Sequence, residues 1–340
     1  MKYLKKRKSA SSGWLFCLVT CLSLPFSISC TEQKSEPKTP PIEAMPASVA
    51  TPLAEIISNT ETEEEDKRFK FKYDLDNPGF TYTLPQELLE ISALTYDDQR
   101  KTLLAVNDER ANIYLLDAKD CSVKEEYDFG KKGDYEGIEI VGDIVYVVKS
   151  NGNIFSFNLD SKTTGEEYKT PLSETNDIEG LGYDKKNNEL ILACKAAPNL
   201  EKQPKLKKTK AFYAFNLDKK KLSETPKFVI EDKSLEAFFD KEAPSDESKK
   251  AKKKLRERLK SFSPSAIARH PQEGYYYILS SVGKLLIVCS KKGKVKSIRF
   301  LDDDLFSQPE GICFAPDGTL FISNEGRSLV AKILTFDYKL

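Results

Sequence analysis

Three glutamates recur in one local pattern, each followed by glycine and a hydrophobic residue: Glu136-Gly137-Ile138, Glu179-Gly180-Leu181 and Glu310-Gly311-Ile312. Two related segments, Ser92-Ala93-Leu94 and Ser265-Ala266-Ile267, have serine in place of the glutamate. Three carboxylates and two hydroxyls brought together would repel one another unless a cation neutralised them. A set of oxygen ligands without His or Cys favours a hard ion, calcium first and magnesium second. Ser92, Glu136, Glu179, Ser265 and Glu310 are therefore candidate metal ligands.

The five segments are evenly placed along the chain. They begin at residues 92, 136, 179, 265 and 310, in steps of 44, 43, 86 and 45 residues, so that one step is doubled. A recurring period of this size indicates a stacked or radial repeat fold. Each repeat carries enough alternating sequence for four antiparallel strands separated by polar turns, as residues 91–96, 102–106, 112–117 and 123–127 do in the first. Four such strands per repeat are typical of a β-propeller blade.

The two ends of the repeat region complement each other. The last repeat has three strands, 311–315, 320–323 and 330–336, and residues 80–84 form an alternating strand that belongs to no repeat. Pairing this N-terminal strand with the last strand closes the ring and removes the exposed sheet edges. The sequence therefore predicts an all-β fold, a five-bladed propeller closed by an N-terminal strand.

The doubled step has two interpretations. Either a sixth, degenerate blade lies between residues 198 and 262, or blade three is followed by an insertion. The composition favours a helical insertion at 232–262, because residues 234–260 are rich in Leu, Ala, Glu, Lys and Arg and contain no β-branched residue. We expect one short helix capped by Ser234 and a second one that begins after Ser245.

A second ring is expected where the second strand of each blade ends. Its members are Asn107-Asp108, Lys149-Ser150, Cys194-Lys195, Ser280-Ser281 and Asn324-Glu325. If these residues face the same mouth of the channel, Asp108 and Glu325 become additional metal ligands, and Lys149 and Lys195 can balance the carboxylates. An alternative stays open for the Glu-Gly pairs. The glycine can serve a backbone position with positive φ while the glutamate accepts hydrogen bonds from neighbouring amides.

The segments at 135–139, 178–181 and 308–312, together with Ser323-Asn324-Glu325, resemble the SdiA-regulated protein family. The resemblance covers residues 80–336, apart from the insertion, and similar Glu-Gly turns occur in propellers related to NHL repeats. It implies a five-bladed propeller with a calcium site. Some distant propeller relatives are calcium-dependent hydrolases, so the resemblance leaves catalysis open.

The N-terminus has the pattern of an export signal. Residues 2–8 contain five basic side chains, residues 14–24 are apolar but too short to span a bilayer comfortably, and Ser27-Ile28-Ser29-Cys30 follows. This end resembles the lipobox of bacterial lipoproteins, although Ser27 stands where leucine is usual. We expect residues 1–29 to be a signal peptide and Cys30 to be the lipid attachment site. The expected location is the cell envelope, with the outer membrane or the periplasmic face favoured because Thr31 follows Cys30.

Composition divides the rest of the chain into a tether and a domain. Residues 30–67 are rich in Pro, Ser, Thr and Glu, which is typical of a disordered tether, and residues 68–340 form the propeller domain. Removing the signal leaves 48 basic against 53 acidic residues, a balance that does not favour nucleic acid. We expect a monomer. Two disulfides or four buried thiols remain open for Cys121, Cys194, Cys289 and Cys313.

Two functions from different classes are compatible with these patterns. The single histidine, His270, falls in a hairpin turn of blade four, away from the Glu-Gly mouth, which disfavours a Ser-His-Asp triad and His-based zinc hydrolysis. We favour a non-enzymatic module that binds a protein or small molecule on the channel face. The alternative is a calcium-dependent hydrolase of an ester or phosphoester, in which a carboxylate such as Glu136 or Glu179 activates water.

Overall fold

The computed structural model describes residues 69–201, 203, 206–242, 248–326 and 330–339. The predicted signal peptide, the lipid site Cys30 and the tether at 30–67 lie outside these residues. None of the helices in the described ranges is long and apolar enough to cross a membrane.

The strands form five antiparallel sheets that follow one another along the chain. Strand β1 (Phe80–Thr83) comes first and belongs to the last sheet. The four sheets that follow are blades 1 to 4 in chain order. Blade 1 contains β2 (Ile91–Asp97), β3 (Thr102–Asn107), β4 (Asn112–Asp117) and β5 (Val123–Asp128), and blade 2 contains β6 (Tyr135–Val141), β7 (Ile144–Lys149), β8 (Ile154–Asn158) and β9 (Thr163–Tyr168).

Blades 3 and 4 flank the helical insertion. Blade 3 contains β10 (Ile178–Asp184), β11 (Glu189–Cys194), β12 (Thr209–Asn216), β13 (Lys221–Leu222) and β14 (Phe228–Glu231). Blade 4 contains β15 (Ala266–Arg269), β16 (Tyr276–Ser280), β17 (Leu285–Cys289) and β18 (Val295–Phe300).

Blade 5 closes the ring with both ends of the chain. It contains β19 (Pro309–Phe314), β20 (Leu320–Asn324) and β21 (Lys332–Phe336), and β1 pairs antiparallel with β21, with Phe80 opposite Thr335. The inner strands β2, β6, β10, β15 and β19 contact one another in this order, and β19 returns to β2. The predicted five-bladed propeller with an N-terminal closing strand is confirmed.

The core of the described chain lies between the blades. Its buried hydrophobic side chains fall into five clusters, and each cluster fills the space between two adjacent blades. Strands β3, β16, β17 and β20 are buried along their whole length, because each lies inside its sheet and is covered on both faces. The outer strand β9, in contrast, is largely exposed. Each blade therefore depends on its neighbours for burial, which stabilises the closed ring.

The helical insertion lies between blades 3 and 4, as predicted. Helix α1 (Asp232–Glu242) and helix α2 (Lys249–Lys260) pack Leu235, Phe239 and Leu259 into the cluster between those blades. Blade 3 differs from the others because β13 and β14 both pair with β12 along its outer edge.

The predicted helix caps were wrong in detail. Ser234 lies inside α1, because the backbone N–H of Asp232 still donates to Lys208 O, 3.0 Å away, and the chain passes from β14 directly into the helix. Ser245 lies outside the described residues. The side chain of Ser248 caps α2 and accepts from the N–H of Ala251 at 3.1 Å.

The four cysteines of the propeller are free thiols and form no disulfide with one another. Cys121, Cys194, Cys289 and Cys313 are all buried and free. Burial raises the pKa of each thiol. These residues therefore act as small hydrophobic side chains in the core.

Candidate functional site

A backbone irregularity marks the predicted ring in four blades. The pairing of the first two strands shifts register at Ser92, Glu136, Glu179 and Glu310, the same repeat position each time. In blade 4 the equivalent residue, Ser265, immediately precedes β15. A β-bulge re-aims a side chain and is common next to functional sites. The structure therefore places all five predicted residues at equivalent points at the start of the inner strands.

The glycines of the Glu-Gly pairs serve close packing. Their φ angles are not positive, so the alternative explanation of a left-handed backbone is wrong. A Cβ at Gly137 would lie 2.6 Å from Leu181 Cβ in the next blade, and a Cβ at Gly311 would lie 2.9 Å from Leu94 Cβ. Leu94 and Leu181 are the hydrophobic residues of the next repeat's own segment. The glutamate-glycine-hydrophobic pattern thus encodes the contact between adjacent inner strands.

The three glutamates act on one another electrostatically. Burial, followed by the charge of Glu179, raises the pKa of Glu136 well above its ordinary value, and the Asp134 and Glu310 carboxyls raise it further. Burial and Glu179 raise the pKa of Glu310 to about 8. Burial also raises the pKa of Glu179 itself, against the opposing effect of Lys195. The carboxylates from blades 2, 3 and 5 are therefore close enough to disfavour each other's ionisation.

Lys195 supplies the neutralising charge that was predicted for it. Its Nζ lies 2.6 Å from Glu179 Oε1. Lys149, in contrast, does not fill this role, because its Nζ lies over the rings of Tyr135 and Phe155, 4.7 and 5.2 Å from their centroids.

The two serines join neighbouring blades. Ser92 Oγ donates to Tyr135 O at 2.6 Å, and Ser265 Oγ donates to Pro309 O at 2.9 Å. Tyr135 and Pro309 each precede the ring glutamate of the next blade. The hydroxyl protons are thus committed to the blade interface, whereas each oxygen retains lone pairs that can accept a hydrogen bond or bind a cation.

Asp108 and Glu325 lie at the same end of the channel as Glu136, Glu179 and Glu310, and these five carboxyls form the acidic mouth, or Glu-Gly mouth. Burial first, and then Glu90 and Glu325, raise the pKa of Asp108 to about 6. Its Oδ1 is buried and has no hydrogen-bond partner. Glu325 accepts a hydrogen bond from Gln308 Nε2. A cation at this point would satisfy a buried carboxylate oxygen that no hydrogen bond satisfies.

Sequence reasoning missed one polar residue at this mouth. Asp134 lies two residues before Glu136 and raises the pKa of Glu136. Asn324, a predicted member of the second ring, is 1% exposed, and neither its Oδ1 nor its Nδ2 has a hydrogen-bond partner. The signal for Asp134 was present in the repeat, since Glu90, Asp177 and Gln308 occupy the same position.

The residue types fit calcium, but their present spacing does not form a finished cage. Within the described ranges, no group of three or more His, Cys, Asp or Glu side chains is arranged to hold a metal ion. The mouth therefore provides carboxylate oxygens as ligands. A cation bound there would reduce the repulsion among the carboxylates and satisfy the unpaired Asp108 oxygen.

His270 lies in the turn after β15, where it was expected. Its Nδ1 accepts from the backbone N–H groups of Gln272 and Glu273, and its Nε2 lies 2.7 Å from Tyr73 Oη. Burial lowers the pKa of His270 to about 4. Nε2 of the neutral ring thus joins blade 4 to Tyr73 of the N-terminal segment, whereas Nδ1 holds the turn of blade 4 itself.

The opposite end of the channel contains a cavity that sequence analysis did not identify. Its volume is about 570 Å³, and the hairpin ends of the inner strands line it. Glu139 lies in this wall, at the repeat position that Thr95, Gly182, Ala268 and Cys313 hold in the other blades. The repeat alignment contained a signal for this site, because Glu139 is the one charged residue at a position that small or neutral residues occupy in the other blades.

Comparison with known proteins identifies a family and shows remote structural likenesses. A family model described as SdiA-regulated matches residues 74–330. No curated protein matches the chain. Among solved structures, a luciferin-regenerating enzyme is similar with a TM-score of 0.44 and 11% sequence identity, over 78% of this chain and 98% of that one.

Proposed function

The chain belongs to the SdiA-regulated family, and on this premise we propose that it is an exported, membrane-anchored propeller that binds calcium at the Glu-Gly mouth. There it would present a surface for a protein or small-molecule ligand. One observation carries the calcium proposal: Glu179 acts on both Glu136 and Glu310, while the lysine that pairs with Glu179 neutralises one charge only. The raised pKa values keep Glu136 and Glu310 protonated at neutral pH, and a bound cation would allow them to ionise.

Glu136, Glu179 and Glu310 are the residues that would hold the ion, with Asp108 contributing its unpaired oxygen. Ser92, Ser265 and Glu325 remain further candidates through their oxygen atoms. When bound, calcium supplies two positive charges, which allow the buried carboxylates to ionise. The protein's own contribution is the series of β-bulges that aim these side chains towards one end of the channel.

Support for export and anchoring comes from the N-terminal sequence. The basic residues 2–8, the apolar stretch at 14–24 and Cys30 are followed by a segment of tether composition up to residue 67. A lipid on Cys30 would hold the propeller at a membrane surface of the cell envelope. A rigid propeller on a tether is suited to presenting one face to partners.

One observation favours the alternative of a calcium-dependent hydrolase. The buried Oδ1 of Asp108 has no hydrogen-bond partner, and burial raises the pKa of this carboxyl to about 6, near the range that suits a base that accepts a proton from water. If the chain hydrolyses an ester or phosphoester, Asp108 is the base we would assign. A screen of phosphodiesters and carboxylic esters with wild type and Asp108→Asn tests this directly, because calcium-dependent turnover that the variant loses would replace the binding role.

Calcium titration tests the binding proposal. The purified full chain is stripped with chelator and then titrated with calcium and magnesium by calorimetry, alongside Glu136→Gln/Glu179→Gln. We expect the wild type to bind calcium more tightly than magnesium, and the double variant to lose at least tenfold in affinity. The control is Glu174→Gln/Glu201→Gln, which neutralises two exposed carboxylates. Equal affinities of the two double variants would refute the assignment.

A further inference from the structure

The cavity at the hairpin end of the channel is separate from the acidic mouth. Glu139 lies three residues beyond Glu136 on β6, which is about 10 Å at the rise of a β-strand. The equivalent residue of blade 4, Ala268, also lines the cavity and adds only a methyl group to its wall. The resulting space, about 570 Å³, is large enough for a small organic molecule.

Neutral groups surround the Glu139 carboxylate. Thr95 Oγ1 donates to Glu139 Oε1 at 2.5 Å, and the backbone N–H of Ile140 donates to the same oxygen at 3.2 Å. Burial raises the pKa of this carboxyl, and the backbone of Tyr183 opposes that rise. Within the described residues, no Lys, Arg or His forms an ion pair with Glu139. A partly desolvated carboxylate without a cation is a costly arrangement unless a ligand supplies the charge.

Aromatic rings complete the wall. Tyr96, Tyr183 and Phe314 line the cavity, and each is half-buried. Carboxylate and aromatic groups together are the usual elements of amine recognition, since rings attract a cation as well as contacting an apolar body. A metal ion fits this end poorly, because Glu139 is the one carboxylate at its ring position and a hard ion needs six or more oxygen ligands.

The rim determines which amines fit. Arg269 is neutralised by Asp184 at 2.6 Å, whereas Lys185 and Lys291 line the cavity without an acidic partner among the described residues. These two lysines disfavour a ligand with a second positive charge at its far end. The cavity therefore suits a molecule with one cationic head and a neutral or anionic tail.

We propose that this cavity binds a small organic amine with a single positive charge, whose ammonium lies against the Glu139 carboxylate and whose body lies against Tyr96, Tyr183 and Phe314. The site is independent of calcium at the other mouth, and so the two proposals can fail separately.

A panel of matched ligands tests the inference on the full chain with calcium present. Each primary amine, for example phenethylamine, is paired with its neutral alcohol and with a carboxylate of similar size, and binding is followed by ligand-observed NMR. We expect amines to bind at least tenfold more tightly than their alcohols. If no amine in the panel exceeds its alcohol by threefold, or if the carboxylates bind best, the inference is wrong.

Two variants locate the effect. Glu139→Gln should remove the preference for amines while the neutral alcohols bind as before, and Asp98→Asn, which removes an exposed carboxylate at the rim, should change amine affinity less than twofold. Equal losses in both variants would contradict the assignment of Glu139.

A measurement on wild type covers the case in which Glu139→Gln does not fold. Amine affinity should fall as the pH is lowered from 8 to 5.5, because Glu139 becomes protonated, and constant affinity would count against the site. The titratable neighbours stay neutral in this window: burial raises the pKa of Tyr96 on β2, Tyr183 on β10 and Cys313 on β19, and lowers that of His270 after β15. The charged groups at the rim are Asp98, Lys185, Arg269, Glu273 and Lys291.

Discussion

The Lys195 ammonium lies 2.6 Å from the Glu179 carboxylate, at the mouth where three of five blades place a glutamate. This contact is partly buried, since the lysine side chain is 32% exposed and the glutamate side chain 11%. It neutralises one carboxylate, whereas the raised pKa values of Glu136 and Glu310 keep those two carboxyls protonated at neutral pH unless a cation binds. The ammonium of Lys195 is therefore a positive charge that a calcium ion would meet at this mouth.

Replacing Lys195 by methionine should destabilise the calcium-free protein and strengthen calcium binding. Loss of the ammonium leaves Glu179 buried and unpaired, which we expect to cost about 2 kcal/mol of unfolding free energy. Urea unfolding in chelator and in calcium measures both effects. A variant that binds calcium more weakly than wild type would contradict a neutralising role for Lys195.

The acidic mouth and Glu139 should make calcium-free stability fall as pH rises. The folded state raises the pKa of Glu310 to about 8 and that of Glu139 to about 7, so their stabilising contribution is complete below about pH 4.5 and is lost as pH rises through 7 to 8. Thermal unfolding of wild type in chelator, compared with Glu139→Gln/Glu310→Gln between pH 5.5 and 8.5, measures this. The stability of the variant should depend less on pH than that of wild type. Identical pH profiles of stability for the two proteins would contradict the raised pKa values of Glu139 and Glu310.

The contact of His270 with Tyr73 predicts the opposite pH dependence at the acid end. Burial lowers the pKa of His270 to about 4, so the stability it contributes is present above pH 6.5 and is lost as pH falls towards 4.

The hydroxyl of Tyr73 makes two buried contacts, because it lies 2.7 Å from His270 Nε2 and donates to Gly318 O at 2.6 Å. Tyr73→Phe should therefore cost about 1 to 2 kcal/mol at pH 7 by urea unfolding. Tyr82→Phe, for which the structure records no hydroxyl hydrogen bond, is the control and should change less than about 0.5 kcal/mol.

Packing at the Glu-Gly pairs gives a prediction for Gly137→Ala. The new methyl group would lie 2.6 Å from Leu181 Cβ, so adjacent inner strands must separate, at a cost of about 1 to 3 kcal/mol. Gly142→Asn is the matched control, because nothing lies within 4 Å of that position and asparagine tolerates its φ of 62°. Similar losses in urea unfolding for the two variants would show that the blade contact is not the cause.

Membrane attachment is tested by Cys30→Ala in the full-length precursor. We expect the variant to move from the membrane fraction to the soluble fraction, since the thiol that carries the lipid is gone. Cys121→Ala, at a buried thiol within the fold, should stay with the membrane and serves as the control. Retention of Cys30→Ala at the membrane would overturn the anchoring proposal.

Much of the fold was accessible from sequence because each repeat carries its own local signals. The alternating strands and polar turns located the blades, and the unpaired strand at 80–84 predicted the closure through β1 and β21. The cap at Ser248 was missed because Ser234 and Ser245 have the same chemistry, and the strand pairing that carries the chain into α1 is a tertiary effect. The division of the outer edge of blade 3 between β13 and β14 also depends on tertiary packing.

The candidate site was accessible only in part. Repeat alignment placed Glu136, Glu179 and Glu310 at one mouth, because equivalent positions of a closed ring must converge. The direction of Lys149 towards two aromatic rings rather than the channel depends on neighbouring strands, and local sequence does not encode it. The cavity beside Glu139 depends on the residues that the other blades place at the same ring position, such as Ala268, and it becomes visible only when the ring is assembled.

The central claim is that calcium organises the Glu-Gly mouth, and thermal unfolding tests it most directly. With calcium at about 100 times its Kd, binding should stabilise the fold by about 2.7 kcal/mol, or about 5 to 10 °C in Tm, relative to chelator. Glu136→Gln/Glu179→Gln should show no such difference. A wild-type Tm that is the same in calcium and in chelator would contradict the account.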